Sequence, residues 1–167
     1  MLALALYLLT HLLPGVEEAA LTACNEAGIE YLEGQYVLQV AVNRSKHRKL
    51  TLQHVLSEKG QFNLKKCDIT PGHLFLGIIA YFNLLNSPKL INTTKVRYYD
   101  ALWSQERNSS KCPGFTVGQM WEYAGLLPVC KSSINHIFFH QVGNNPGCPS
   151  KEWKPRSLYR KRLPKCQ

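Results

Sequence analysis

The sequence predicts an α+β fold, a helix-rich body with a small sheet in a single domain. Three observations carry this. The chain has 167 residues, of which 45% are hydrophobic, enough to bury one compact core. Apolar residues recur at helical spacing through its first half. Two short aromatic or β-branched runs, Val96 to Tyr99 and Ile134 to His140, read as strands. The apolar content is too high for a disordered chain, and no apolar run approaches the roughly 20 residues of a membrane-spanning helix.

The elements follow in order. Met1 to Leu13 is mostly apolar, and Leu21-Thr22-Ala23-Cys24 has the look of a lipoprotein cleavage box. No Lys or Arg precedes that stretch, however, and His11, Pro14, Glu17 and Glu18 interrupt it, so an ordinary first helix is expected rather than a cleaved leader. After Pro14-Gly15, the residues Val16, Ala20, Ala23 and Ala27 mark one apolar helical face, with Glu17 and Glu18 in the first turn, where the helix dipole favours carboxylates. Gln35 to Val42 forms a second apolar segment, and Arg44 to Lys49 reads as a basic loop. Thr51 can cap a short helix through Leu56. Thr70-Pro71 is a good start for a longer one from His73 to Leu85, apolar on most sides and expected to be the central core helix. Thr116 with Gln119 fits a capping box for a helix to about Leu127.

Charge is unevenly placed. Twenty Lys and Arg against 11 Asp and Glu give +9. From Lys151 to Lys165 there are seven basic residues and one acid, Glu152, a local 7 − 1 = +6. The expected organisation is therefore a body over residues 1–148 and a basic extension over 149–167. Such an extension, with Trp153 and Tyr159, suits an anionic partner: nucleic acid, lipid or a wall polymer. The six cysteines include no Cys-x-x-Cys pair, which argues against a zinc ribbon. Their even number permits disulfides outside the cytosol, with Cys112, Cys130, Cys148 and Cys166 the better candidates. The regular 18-residue spacing of these four is taken as coincidence, because the flanking sequences do not repeat. Three Asn-x-Ser/Thr sequons, at Asn43, Asn92 and Asn108, matter only in a eukaryotic secretory protein.

The scarce acids carry the chemistry. Glu26, Glu30 and Glu33 are spaced i, i+4, i+7, and on a continuing helix they would form one stripe of carboxylates. For three acids on a helix a solvated face is the ordinary reading. These three nevertheless lie in an otherwise apolar or neutral stretch beside Gly28 and Gly34. Mutual repulsion of close carboxylates is one way a carboxylic acid is kept protonated for general-acid work.

Glu26-Ala27-Gly28-Ile29-Glu30-Tyr31-Leu32-Glu33-Gly34-Gln35, followed by Asn43-Arg44, resembles the opening motif of the SleB-type (spore-cortex-lytic) cell wall hydrolases, E-A-R-G-E-x-x-E-G-Q and then an apolar helix ending in N-R. Gly60-Gln61-Phe62 resembles that family's G-Q-F segment. Val96-Arg97-Tyr98-Tyr99 sits where it has an aromatic strand, and Asn135-His136-Ile137-Phe138-Phe139 resembles its closing N-H-x-F-Y. The resemblance spans roughly Leu13 to Phe139. It departs at Gly28-Ile29, which replace Arg-Gly, at Phe139, where Tyr is usual, and in a helix one residue short before Asn43.

The resemblance implies a lysozyme-like or lytic-transglycosylase-like domain acting on peptidoglycan glycan strands at the bond between N-acetylmuramic acid and N-acetylglucosamine. It makes Glu26 the single general acid and base, working without cofactor or metal, whereas ordinary glycosidases use two flanking carboxylates. Glu33, Gln35, Gln61, Tyr98 and His136 are the candidate substrate contacts, and Glu30 is expected to be structural. His136 and His140 are not expected to form a metal pair, because i and i+4 on a strand lie far apart. The expected protein is a monomer of the bacterial envelope or periplasm, or a virion-associated phage enzyme, that does not bind nucleic acid and reaches an anionic envelope surface through its tail. Two other functions stay open at this point: a metal-dependent peptidoglycan amidase or peptidase, and a non-enzymatic basic module binding envelope or nucleic acid.

Overall fold

A computed structural model of the protein describes residues 8, 12–59, 61–86, 96–101, 110–132, 136–155 and 163–166, with the backbone alone at 83–86 and 101. The elements are α1 (Val16–Ala27), α2 (Tyr31–Arg48), α3 (Leu52–Ser57), α4 (Pro71–Asn86), β1 (Val96–Ala101), α5 (Val117–Tyr123), β2 (Leu126–Lys131) and β3 (His136–Gln141). The mixture of helices with one small antiparallel sheet is the expected α+β class. Instead of a single domain of about 148 residues with an extension, the chain forms two compact units, Met1–Thr94 and Lys95–Gln167. Among the described residues no helix is long and apolar enough to cross a membrane.

The first unit is helical. Ala19, Ala20 and Ala23 of α1 are fully buried, as are Val37, Val40 and Ala41 of α2 and Val55 and Leu56 of α3. Alanines on α1 and glycines on its neighbours allow the helices to approach closely. A Cβ on Gly77 of α4 would lie 2.5 Å from the Val16 carbonyl oxygen, and one on Gly34 of α2 would lie 2.9 Å from Leu76 Cδ1 and 3.3 Å from Ala23 Cβ. Caps close the ends as expected: the Thr51 hydroxyl accepts from His54 N–H at 3.1 Å and the Thr70 hydroxyl from His73 N–H at 3.4 Å. The basic stretch from Arg44 is no loop but the last turns of α2, where cations suit the carbonyl end of a helix. Lys49 in the left-handed region then ends that helix. The α4 helix is less enclosed than expected, with Phe75 and Phe82 exposed. The sequon residue Asn43 is buried within α2.

The second unit holds the sheet, ordered β1-β3-β2. Its central strand buries Ile137, Phe138 and Phe139 completely. Ile137 and Phe139 cluster with Leu126, Tyr98, Trp121 and Leu163. The capping box at Thr116 and Gln119 is present, but α5 ends at Tyr123 and the chain turns at Gly125 into β2, a strand the sequence reading missed. Pro128 disguised it, because proline reads against a strand, yet β2 lies at the sheet edge, where a missing N–H is tolerated. Ile134 lies outside the described residues.

All six cysteines are paired, Cys24 with Cys67, Cys112 with Cys148 and Cys130 with Cys166, as in chains that mature in an oxidising compartment. The expectation had favoured only the last four. Cys24 thus lies within a helix and is bonded to Cys67. The described parts of the C-terminal segment, residues 149–155 and 163–166, are no loose appendage. Lys131 N–H donates to the Pro164 carbonyl at 2.9 Å and Cys166 N–H to that of Lys131 at 3.1 Å, beside the Cys130–Cys166 bond. Trp153 packs against Phe115 and Tyr123 at ring separations of 5.9 and 5.3 Å.

The close crossing of α4 and α1 makes Gly77 a sensitive small residue of the first unit. Gly77→Ala sets a methyl against backbone that cannot rotate away, and a loss of about 2 kcal/mol in chemical denaturation is expected.

Candidate active site

Glu26 and Glu33 do not share a continuous helix. Gly28, at φ +57°, ends α1, and its N–H bonds back to the Cys24 carbonyl. Glu30 precedes the first residue of α2 as an exposed N-cap, and its carbonyl accepts the Gly34 N–H. The stripe of three carboxylates is therefore broken. Glu26 stays half-buried at the end of α1, whereas Glu33 lies inside the first unit at 2% exposure.

The break is held from α4. His73, 2% exposed, accepts the Thr70 N–H on Nδ1 at 3.0 Å, so its proton resides on Nε2, which donates to the Gly28 carbonyl at 2.6 Å. The Tyr31 hydroxyl bonds Thr70 Oγ1 at 3.0 Å, and its ring lies edge-on to the imidazole at 5.4 Å. Gly72 admits this ring, since a Cβ there would sit 2.5 Å from Tyr31 Cζ. Thr70, His73 and Tyr31 were not singled out as site residues. The only signal was the Thr-Pro helix start, which says where α4 begins and not what His73 reaches.

A loop crosses in front of Glu26. Asn63 N–H donates to Glu26 Oε1 at 3.2 Å. Arg44, from the end of α2, donates to Gln61 Oε1 at 2.9 Å and stacks its guanidinium over the Phe62 ring at 5.1 Å. Farther along, the Asn25 amide donates to the Lys65 carbonyl at 2.9 Å, and the Cys24–Cys67 disulfide fastens the loop to α1. In the chain-entropy model a closed loop of this size is worth about 4 kcal/mol. Arg44, the Gln61-Phe62 pair and Glu26, far apart in sequence, are thus joined through one loop, while Asn43 is buried within α2 and bonded to Gln39 at 2.9 Å. Asn25, Asn63 and this disulfide were missed, although Asn63 directly follows the quoted Gly-Gln-Phe.

Of the remaining candidates, only Gln61 belongs to this junction. Gln61 is exposed. Buried Glu33 is not a surface sugar contact. Gln35, two positions on and therefore about 200° around the helix, lines the seam between α2 and α4 with Leu38, Leu76 and Ile79. Tyr98 and His136 belong to the second unit. The Tyr98 hydroxyl donates to Gln141 Oε1 at 3.1 Å while its ring meets Trp121 edge-on at 6.3 Å. His136 packs edge-on against Tyr99 at 5.5 Å. Both therefore have structural work within the sheet. Asn135 and Gly60 lie outside the described residues. His136 and His140 sit at opposite ends of five residues of β3, and among the described residues no group of three or more His, Cys, Asp or Glu could hold a metal ion.

No family model, curated protein or solved structure matches the chain.

Two measurements probe this environment. Burial, and secondarily the Glu33 carboxylate, push the Tyr36 phenol above its ordinary range. The neutral phenol is thus favoured in the fold, so stability is intact below about pH 10, where an unfolded tyrosine titrates, and declines as pH rises beyond it. Denaturation between about pH 8 and 11 should show a steeper alkaline loss in wild type than in Tyr36→Phe. His73→Phe keeps the ring packing but removes the imidazole's hydrogen bonds to Thr70 and to the Gly28 carbonyl. It should cost about 2 kcal/mol and speed hydrogen exchange at Gly28; unchanged stability would deny His73 its place as the clamp.

Proposed function

We propose that the protein is a peptidoglycan-degrading glycosidase, a lytic transglycosylase or muramidase, that cleaves the β-1,4 bond between N-acetylmuramic acid and N-acetylglucosamine with Glu26 as its single general acid and base. The observation that carries this reading is the junction at the end of α1, where a half-buried Glu26 is joined by backbone and side-chain bonds to the loop Gln61–Asn63 and, through Arg44, to the end of α2. These are the segments in which the resemblance to SleB-type hydrolases resides. The fold proposed with it is lysozyme-like.

Protonated Glu26 gives its proton to the glycosidic oxygen as the bond from the anomeric carbon breaks, and the other sugar leaves as an alcohol. The resulting carboxylate then takes a proton, either from the sugar's own 6-hydroxyl as that oxygen closes on the anomeric carbon or from water. The first path gives a 1,6-anhydro sugar and the second a hydrolysed one, and either restores the acid. Asn63 N–H holds one carboxylate oxygen through the cycle, which fixes the direction in which the other can reach. Exposed Gln61, its oxygen engaged by Arg44, presents its amide N–H groups as candidate sugar donors. The three disulfides support an extracytoplasmic place of work, in the bacterial envelope or on a virion.

The test is Glu26→Gln, which keeps shape and removes the proton. Clearing of purified peptidoglycan should fall at least about a thousandfold with circular dichroism and melting temperature retained, and mass spectrometry of the wild-type digest should show anhydro or reducing muramic ends. Full clearing by Glu26→Gln would remove it as the acid.

A further inference from the structure

We propose that a cavity of about 530 Å³ in the second unit is a binding site for an anionic muropeptide, a peptidoglycan fragment joining an amino-sugar ring to a short carboxylate-bearing peptide. The choice of ligand rests on the glycosidase reading; the cavity does not.

Ser110 and Lys111 form one wall, Asn145 and Gly147 the other, and Met120 and Trp121 of α5 the floor. Each wall runs directly into a cysteine, Cys112 on one side and Cys148 on the other, and those two are bonded with their Cα atoms 5.6 Å apart. The spacing of the walls is therefore fixed before any ligand arrives, which spares the ordering cost of binding. Each wall is also tied down by itself. The Ser110 hydroxyl donates to the Cys112 carbonyl at 2.9 Å and Ser110 N–H to that of Phe115 at 3.0 Å. The Asn145 amide donates to the Tyr123 carbonyl at the end of α5 at 2.9 Å.

The floor is equally rigid, because Trp121 is locked edge-on against the buried Phe139 at 5.0 Å. A fixed indole beside a thioether suits the apolar face of a sugar ring, and exposed Lys111 supplies a cation for a carboxylate. The volume lies within the range of small-ligand sites. Charge adds to this. Lys95–Gln167 holds 12 Lys and Arg against four acids, 12 − 4 = +8, whereas Met1–Thr94 holds eight against seven, 8 − 7 = +1. The field that draws anions thus belongs to the unit with the cavity. A ligand that matches must carry a ring face and a negative end together, which a muropeptide does.

Calorimetric titration of soluble muropeptides into full-length Glu26→Gln protein tests this without cleavage. Saturable binding is expected, weakened at least about tenfold by Lys111→Glu, abolished by Ala124→Trp, which fills the cavity, and unchanged by Lys154→Glu on the surface. No saturable binding, equal binding by Lys111→Glu, or displacement by a single-stranded oligonucleotide would overturn the proposal. Cleavage of purified peptidoglycan by wild type is scored separately. Cleavage without muropeptide binding removes the cavity proposal and leaves the glycosidase, whereas cavity binding without cleavage removes the glycosidase and leaves an anionic-fragment site.

Discussion

Between Glu26 and Tyr31 the chain leaves one helix and enters another, and the arrangement of the first unit depends on that break staying where it is. The hydrogen bond from His73 Nε2 to the Gly28 carbonyl, 2.6 Å long, holds it. Glycine makes the left-handed step at φ +57° cheap, but a permissive residue does not choose a conformation, and the imidazole does. Because Thr70 N–H occupies Nδ1, the ring has one proton to offer and one direction in which to offer it. The result is a division of labour between carboxylates that a continuous helix would have kept together. Glu26 remains at an accessible helix end, and Glu33 is enclosed.

The loop facing Glu26 depends on the same economy of contacts. Residues 61–68 contain no helix or strand, so they have no ladder of their own to fix them. They are held instead by single bonds to α1 and α2: Arg44 at Gln61 and Phe62, Glu26 at Asn63, Asn25 at Lys65, and the disulfide at Cys67. Distributed attachment of this kind positions a backbone N–H against a carboxylate without burying the carboxylate fully, which suits the proton-exchanging role proposed for Glu26.

The second unit uses different means. Its sheet is small, with three strands, and a core of that size gains much from cross-links. Two disulfides supply them, one tying the C-terminal segment to β2 and one closing the cavity walls. Lys151, Lys154 and Lys165, which look in sequence like part of a detachable tail, consequently lie on segments tied back to the unit. The regular spacing of Cys112, Cys130, Cys148 and Cys166 is not a repeat. It gives two bonds that each span 36 residues, interleaved along the chain.

Local physics was legible in the sequence. The helix starts at Thr51, Thr70 and Thr116, the aromatic strands, the α+β class and the scarce, clustered acids follow from hydrogen-bond chemistry and periodicity within a few residues. Edge strand β2 was not legible, because Pro128 is acceptable only once its neighbours in the sheet are known. Neither was the end of α2, where Arg44 to Arg48 read as loop until the helix carbonyls they complement were in place. Division into two units and the pairing of six cysteines depend on contacts between residues far apart in the chain, to which spacing is blind. Glu26 was nominated by sequence alone. Its setting was decided by tertiary structure, because His73 reaches the Gly28 carbonyl across 45 residues and Asn63 reaches Glu26 across 37, and only a folded chain brings such groups within hydrogen-bond range at the end of α1.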